Sequence, residues 1–207
     1  MTTKALSTLA LILLALMCLS CSTDGAKEQT SIGDDYYGRG EFDQAIASYS
    51  KAIELDPKYA NAYNNRGLAY DDQGKFDQAI ADYSMAIELD PKSATTYYNR
   101  GIAYGDQGKL DQAIADYSMA IELDPKYIDA YYNRGIAYGD QGKLDQAIAD
   151  YSMAIDLNPK YIDAYYNRGL TYKQKGLNSE AVADFGTYLQ LKWTATDEDR
   201  SSNSSGN

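Results

Sequence analysis

Four asparagines, Asn65, Asn99, Asn133 and Asn167, recur at a fixed interval of 34 residues. A primary amide carries both donors and an acceptor, which is what an extended peptide main chain presents, so a row of them is chemistry for holding a segment of polypeptide. After each comes an arginine (Arg66, Arg100, Arg134, Arg168), and sixteen residues beyond each arginine stands an aspartate (Asp82, Asp116, Asp150, Asp184). Guanidinium and carboxylate fit each other as a two-pronged, charge-assisted pair. One interval earlier the equivalent positions hold Ile32 and Ser48, so both charges are replaced together. That favours a structural pair inside each unit over a ladder of cations for a ligand.

Other chemistry is excluded by composition. The chain has no histidine, which removes histidine acid–base catalysis, serine–histidine triads and histidine metal sites. The densest carboxylates, Asp34 with Asp35 and Asp71 with Asp72, are sequence neighbours, and neighbours on a helix point about 100° apart rather than converging. No calcium-loop spacing and no glycine-rich phosphate loop occurs. No catalytic residue, metal or cofactor is therefore expected. A formal charge of −11 disfavours nucleic acid and leans toward a neutral or basic protein partner.

The elements that position these side chains follow from the same interval. Pro57, Pro91, Pro125 and Pro159 are the only prolines, again 34 residues apart. A fixed period of this length means a repeat architecture, in which each unit buries its apolar face only by stacking on its neighbours. Placing each proline at position 32 gives five units, 26–59, 60–93, 94–127, 128–161 and 162–195. Position 15 is always glycine (Gly40, Gly74, Gly108, Gly142, Gly176), a helix end followed by a turn. Three residues on, Asp43, Asp77, Asp111, Asp145 and Ser179 are placed to cap a second helix. Small residues at position 8 (Gly33, Gly67, Gly101, Gly135, Gly169) and position 20 (Ala45, Ala79, Ala113, Ala147, Ala181) suit a close crossing of the two helices. The fold is all-α, five helix–turn–helix units.

Runs such as Ala62-Tyr63 and Arg66 to Tyr70, followed by Ala79, Tyr83, Ala86 and Pro91, resemble the tetratricopeptide repeat over 26–195. The resemblance implies a right-handed superhelical solenoid whose first helices line a concave, protein-binding groove. In that family positions 2, 5, 6, 9, 12 and 13 tend to face the groove. The asparagines at position 6 would then form a ladder for a peptide main chain, flanked by Tyr98, Tyr132 and Tyr166 at position 5 and by Ile102 and Ile136 at position 9. Asp106 and Asp140, with Asp129 and Asp163, would give an acidic border. The alternative for the asparagines is a cap or a solvated helix face. The clamp for acidic C-terminal tails found in some members needs lysine at position 5 and asparagine at position 9, where this chain has Tyr or Asn and Leu or Ile. Tyrosines at positions 11 and 24 are read as packing.

The third and fourth units differ at only two places over 97–127 and 131–161, which suits a surface that grows by repetition rather than an enzyme site. Residues 1–20 read as a signal peptide. The stretch 5–20 reaches only about 24 Å as a helix, short of a hydrocarbon core of roughly 30 Å. Leu19-Ser20-Cys21 resembles a bacterial lipobox, with Cys21 lipidated, 21–25 a tether, and Ser22 favouring the outer membrane. The expected location is the bacterial cell envelope, as an outer-membrane lipoprotein or a secreted or periplasmic protein. Cys18 and Cys21 both lie at this junction, so no intrachain disulfide is expected. Residues 196–207 read as a disordered tail. Position 27 changes from alanine to Tyr188 in the last unit, closing the stack and leaving Phe185, Leu189 and Trp193 as an apolar end. A homodimer or self-assembling chain joined through that end is the alternative to a scaffold that binds a partner.

Overall fold

The computed structural model describes residues 23–204, with side-chain surroundings as far as 194. The signal peptide, Cys18 and Cys21 lie outside the described residues. Among those residues there are ten α-helices and no strand: α1 over 23–38, α2 (Phe42–Leu55), α3 (Ala60–Asp72), α4 (Phe76–Leu89), α5 (Ala94–Asp106), α6 (Leu110–Leu123), α7 (Ile128–Asp140), α8 (Leu144–Leu157), α9 (Ile162–Gln174) and α10 (Asn178–Ser204). The chain divides into two compact units, Met1–Ala103 and Tyr104–Asn207, the boundary falling within α5. In the first, α3 packs on α2 and α4. In the second, α6 to α10 pack each on the next, and α7 also touches α9.

Each odd-numbered helix ends on glycine in the left-handed region, with φ between 71° at Gly74 and 82° at Gly176. The amide after the glycine returns to the carbonyl five residues back, as Lys75 does to Tyr70 at 2.9 Å and Lys143 to Tyr138 at 2.8 Å. This satisfies carbonyls that the helix end would leave open. The even helices begin two residues earlier than the aspartates suggested. Their N-caps are Glu41, Lys75, Lys109 and Lys143, none with a side-chain cap bond. Asp43, Asp77, Asp111 and Asp145 sit in the first turn, where a negative charge favours the helix dipole. Their carboxylates reach instead to the next repeat. Asp43 accepts from Gln73 at 2.9 Å, Asp111 from Gln141 at 2.8 Å, and Asp145 pairs with Lys175.

The prolines sit in the turn that leaves each repeat. The residue before each one is extended, and its side chain accepts the amide of the residue after it, as Asp56 does from Lys58 at 3.0 Å and Asn158 from Lys160 at 3.0 Å. Proline between them has no N–H to compete, so the Asx turn and the ring restriction fix one exit direction.

The core is alanine and tyrosine rather than leucine. Ala45, Ala52, Ala79, Ala113, Ala120, Ala147 and Ala154 are fully buried, with Tyr49, Tyr83, Tyr117 and Tyr151 among them. The position 8 glycines admit an aromatic ring rather than a helix backbone: a Cβ at Gly67 would lie 2.7 Å from Tyr83, at Gly135 2.8 Å from Tyr151 and at Gly169 2.9 Å from Phe185. Tyrosines at position 11 are half-buried, with cations over their faces, such as Arg134 at 5.8 Å from Tyr138 and Lys75 at 5.9 Å from Tyr70.

Both ends are helical among the described residues. Residues 23–25, within the stretch read as a tether, are helical and form the start of α1, whose Ala26 is fully buried with Ala52 and Ala62. Likewise 196–204 continue α10, where a disordered tail was expected. On that helix Val182, Leu189 and Trp193 are 71%, 63% and 67% exposed.

Candidate functional site

The arginines at position 7 join helices in two directions. Within a repeat, Arg66 donates through Nε and Nη2 to both carboxylate oxygens of Asp82, each at 2.7 Å. Arg134 does the same to Asp150 at 2.7 and 2.8 Å, and Arg168 to Asp184 at 2.8 Å. The aspartates are buried, and the hydrogen bond to each carboxylate holds its guanidinium charged against the opposing effect of burial. Toward the preceding repeat, Nη1 of Arg66, Arg100, Arg134 and Arg168 donates to Ser50, Ser84, Ser118 and Ser152 at 2.9–3.0 Å. The sequence reading missed these serines. The signal was present: position 25 is serine in the four repeats that an arginine follows and Gly186 in the fifth. Ser84, Ser118 and Ser152 pass their own protons to the carbonyl four residues back, at 2.6–2.7 Å, so each hydroxyl both gives and receives.

The asparagines at position 6 lie inside their helices and are not caps. In the first unit Asn65 donates to Asp34 at 2.9 Å, and Asn99, which is buried, donates to Asn64 at 3.2 Å. Asp34 also accepts the Tyr49 hydroxyl at 2.8 Å, and Asp72 accepts that of Tyr37. Burial and then these carboxylates push both phenols well above their usual range. Tyr83 has no such partner: its hydroxyl is buried and unbonded, because position 9 of its repeat is Leu68 where Asp34 stands one repeat earlier. Tyr98 is half-buried. Side chains from successive first helices thus bond to one another here.

The second unit holds the remaining two asparagines of position 6. Asn167 donates to the Tyr132 hydroxyl at 2.8 Å, and Asn133 is half-buried on α7. The Tyr132 ring packs edge-on against Tyr161 at 4.9 Å, whose own hydroxyl bonds to Asp129 at 3.0 Å. Tyr166 is 42% exposed and lies against Tyr188 at 5.1 Å. Between α7 and α9 is a pocket of about 250 Å³ lined by Ile136, Gly139, Asp140, Tyr151, Asn167, Leu170, Thr171 and Gln174. Six of these stand at positions 6, 9, 12 and 13 of their repeats. Asp106 and Asp140 are exposed near the ends of α5 and α7. Among the described residues no group of histidine, cysteine or carboxylate side chains could hold a metal ion.

A model of the TPR repeat matches residues 33–74, 69–108, 103–142 and 137–176, and one of the tetratricopeptide repeat matches 162–192. The chain belongs to the tetratricopeptide repeat family. Among solved structures it is similar to MamA, at 36% identity and a TM-score of 0.77, covering 80% of this chain and 97% of that one. It also resembles the first TPR of Spaghetti (RPAP3), solved with the HSP90 peptide SRMEEVD, at 28% identity and a TM-score of 0.57 over 58% of this chain and 95% of that chain. YrrB, described as a TPR protein with an unusual peptide-binding site, shares the fold at 23% identity, with a TM-score of 0.69 over 79% of this chain and 84% of that one. Stress-induced-phosphoprotein 1 of Caenorhabditis elegans is 40% identical over 48 residues, which is 23% of this chain and only 15% of that protein.

Proposed function

We propose that this tetratricopeptide repeat protein is a non-catalytic scaffold that holds an extended segment of a protein partner against its first helices, and that it is exported to the cell envelope and anchored through a lipid on Cys21. The observation that carries the groove reading is the pocket between α7 and α9, lined largely from the positions at which the family binds peptides. An asparagine that gives one amide proton to the preceding helix is held in one orientation by that bond. It keeps a second proton and an acceptor for a main chain. RPAP3 binds an acidic HSP90 peptide; the acidic composition of this chain, and Tyr or Asn in place of lysine at position 5, favour a neutral or basic ligand instead. Asn99, Asn133 and Asn167 changed together to alanine should abolish capture of a partner from envelope extract while leaving the helical circular dichroism spectrum unchanged. Retention of the same partner by the triple variant would refute the ladder.

A second reading, self-association through α10, rests on the exposure of Val182, Leu189 and Trp193. It predicts a sedimentation mass that rises with concentration and returns to that of a monomer in Trp193→Asp. A monomer at micromolar concentration in the unaltered chain would exclude it.

A further inference from the structure

Gly139 is unlike the other glycines of its helix pair. It lies inside α7, has no positive φ, and a Cβ there would meet only the Tyr151 hydroxyl at 3.8 Å and Ala147 at 4.0 Å, both ordinary contacts. Nothing in the packing requires glycine, and glycine inside a helix is unfavourable. The equivalent positions hold Tyr37, Asp71 and Lys173 in the first, second and fifth repeats and Gly105 in the third, where a Cβ would likewise meet only a tyrosine hydroxyl, that of Tyr117 at 3.7 Å. What its missing side chain leaves is the pocket, and at the pocket wall is the hydroxyl of Tyr151, a residue 3% exposed. Tyr49 gives the equivalent proton to Asp34; position 9 of the Tyr151 repeat is Ile136, which cannot accept it. Burial first, with Tyr132, Asp140 and Asp150 adding to it, keeps the Tyr151 phenol protonated.

Resting on the reading of this surface as a peptide groove, we infer that the pocket is a specificity subsite for one basic side chain, lysine or arginine, of the bound segment. Ile136 and Leu170 offer apolar walls for an aliphatic stem, Asp140 supplies the carboxylate for its charged end, and the Tyr151 oxygen accepts a further hydrogen bond. None of the eight lining residues is cationic, so an acidic side chain finds no counter-charge. A purely apolar one leaves the tyrosine hydroxyl desolvated without a partner. The volume of about 250 Å³ suits a single side chain and falls below the roughly 300–1,000 Å³ of small-molecule sites.

The test is a displayed library of random dodecapeptides selected separately on the unaltered full chain, on Gly139→Leu, on Asp140→Asn, and on the triple asparagine variant. Selection on the unaltered chain should enrich lysine or arginine at one fixed position at least tenfold over glutamate and leucine. Gly139→Leu, whose melting temperature should be no lower than that of the parent, and Asp140→Asn should each lose that enrichment. A common motif without a basic position, or a basic position that survives both variants, overturns the subsite and leaves the groove standing. Identical motifs on the triple asparagine variant overturn the ladder. Failure to enrich any peptide on the unaltered chain overturns both.

Discussion

Arg134→Met is expected to destabilise the fold by about 3–5 kcal/mol, the usual cost of breaking a buried ion pair by removing one partner. Two losses add in this one change. Asp150 is left buried without the guanidinium that gave it two short hydrogen bonds, and Ser118 of the preceding repeat loses the donor that tied α6 to α7. Asp150→Ala should cost less, because Arg134 keeps Ser118 and the faces of Tyr131 and Tyr138 at 5.7 and 5.8 Å. The double variant should fall short of the sum of the two single effects by about 1–3 kcal/mol, since the second change removes a group already stranded by the first. Thermal or urea melts of the four forms measure that coupling, and strict additivity would mean that the pair contributes nothing as a pair. Ser118→Ala isolates the other direction. It should lower stability by about 1 kcal/mol, the net value of one ordinary hydrogen bond or slightly more for a charged donor.

These partners show what could and could not be read from residues alone. The 34-residue interval carries the helix boundaries because glycine and proline act on the backbone locally, and a left-handed φ at Gly142 or an Asx turn before Pro159 needs no distant partner. The arginine–aspartate register was visible because Ile32 and Ser48 replace both members together. Ser118 was passed over because serine at a helix surface has many uses, and only the position of Arg134 on the neighbouring repeat gives it this one. The N-caps were placed too late for a related reason. Aspartate is favoured both at a cap and in the first turn, and Asp111 is held in the turn by Gln141 of the next repeat, a contact no local rule encodes. In the candidate site, the asparagine spacing was legible, but the bonds from Asn65 to Asp34 and from Asn167 to Tyr132 were not, since each depends on which side chain the preceding first helix presents. The pocket was the least legible feature, because it consists of an absence, the missing side chain at Gly139.

That absence gives a second result of large size. Gly135→Ala and Gly139→Ala make the same chemical change one helical turn apart, and they should move stability in opposite directions. In both cases replacing glycine inside a helix favours folding by about 0.5–1 kcal/mol. At Gly139 nothing opposes that gain, since the new methyl meets its nearest neighbours at 3.8 Å or more. At Gly135 the methyl would lie 2.8 and 2.9 Å from two ring carbons of Tyr151, whose ring is 3% exposed and packed against Tyr132 at 5.9 Å. Forcing α7 and α8 apart costs about 1–3 kcal/mol, typical of an overpacked core, and outweighs the helical gain. The helical gain is common to both, so the two variants should differ by the overpacking cost, about 1–3 kcal/mol, in melts of otherwise identical chains. If Gly135→Ala melted with the parent, the ring would be able to shift and the alanine–tyrosine core would be looser than its contacts imply. If Gly139→Ala were destabilising, the glycine would serve the fold rather than the pocket, and the reason given for its presence beside Tyr151 would fail with it.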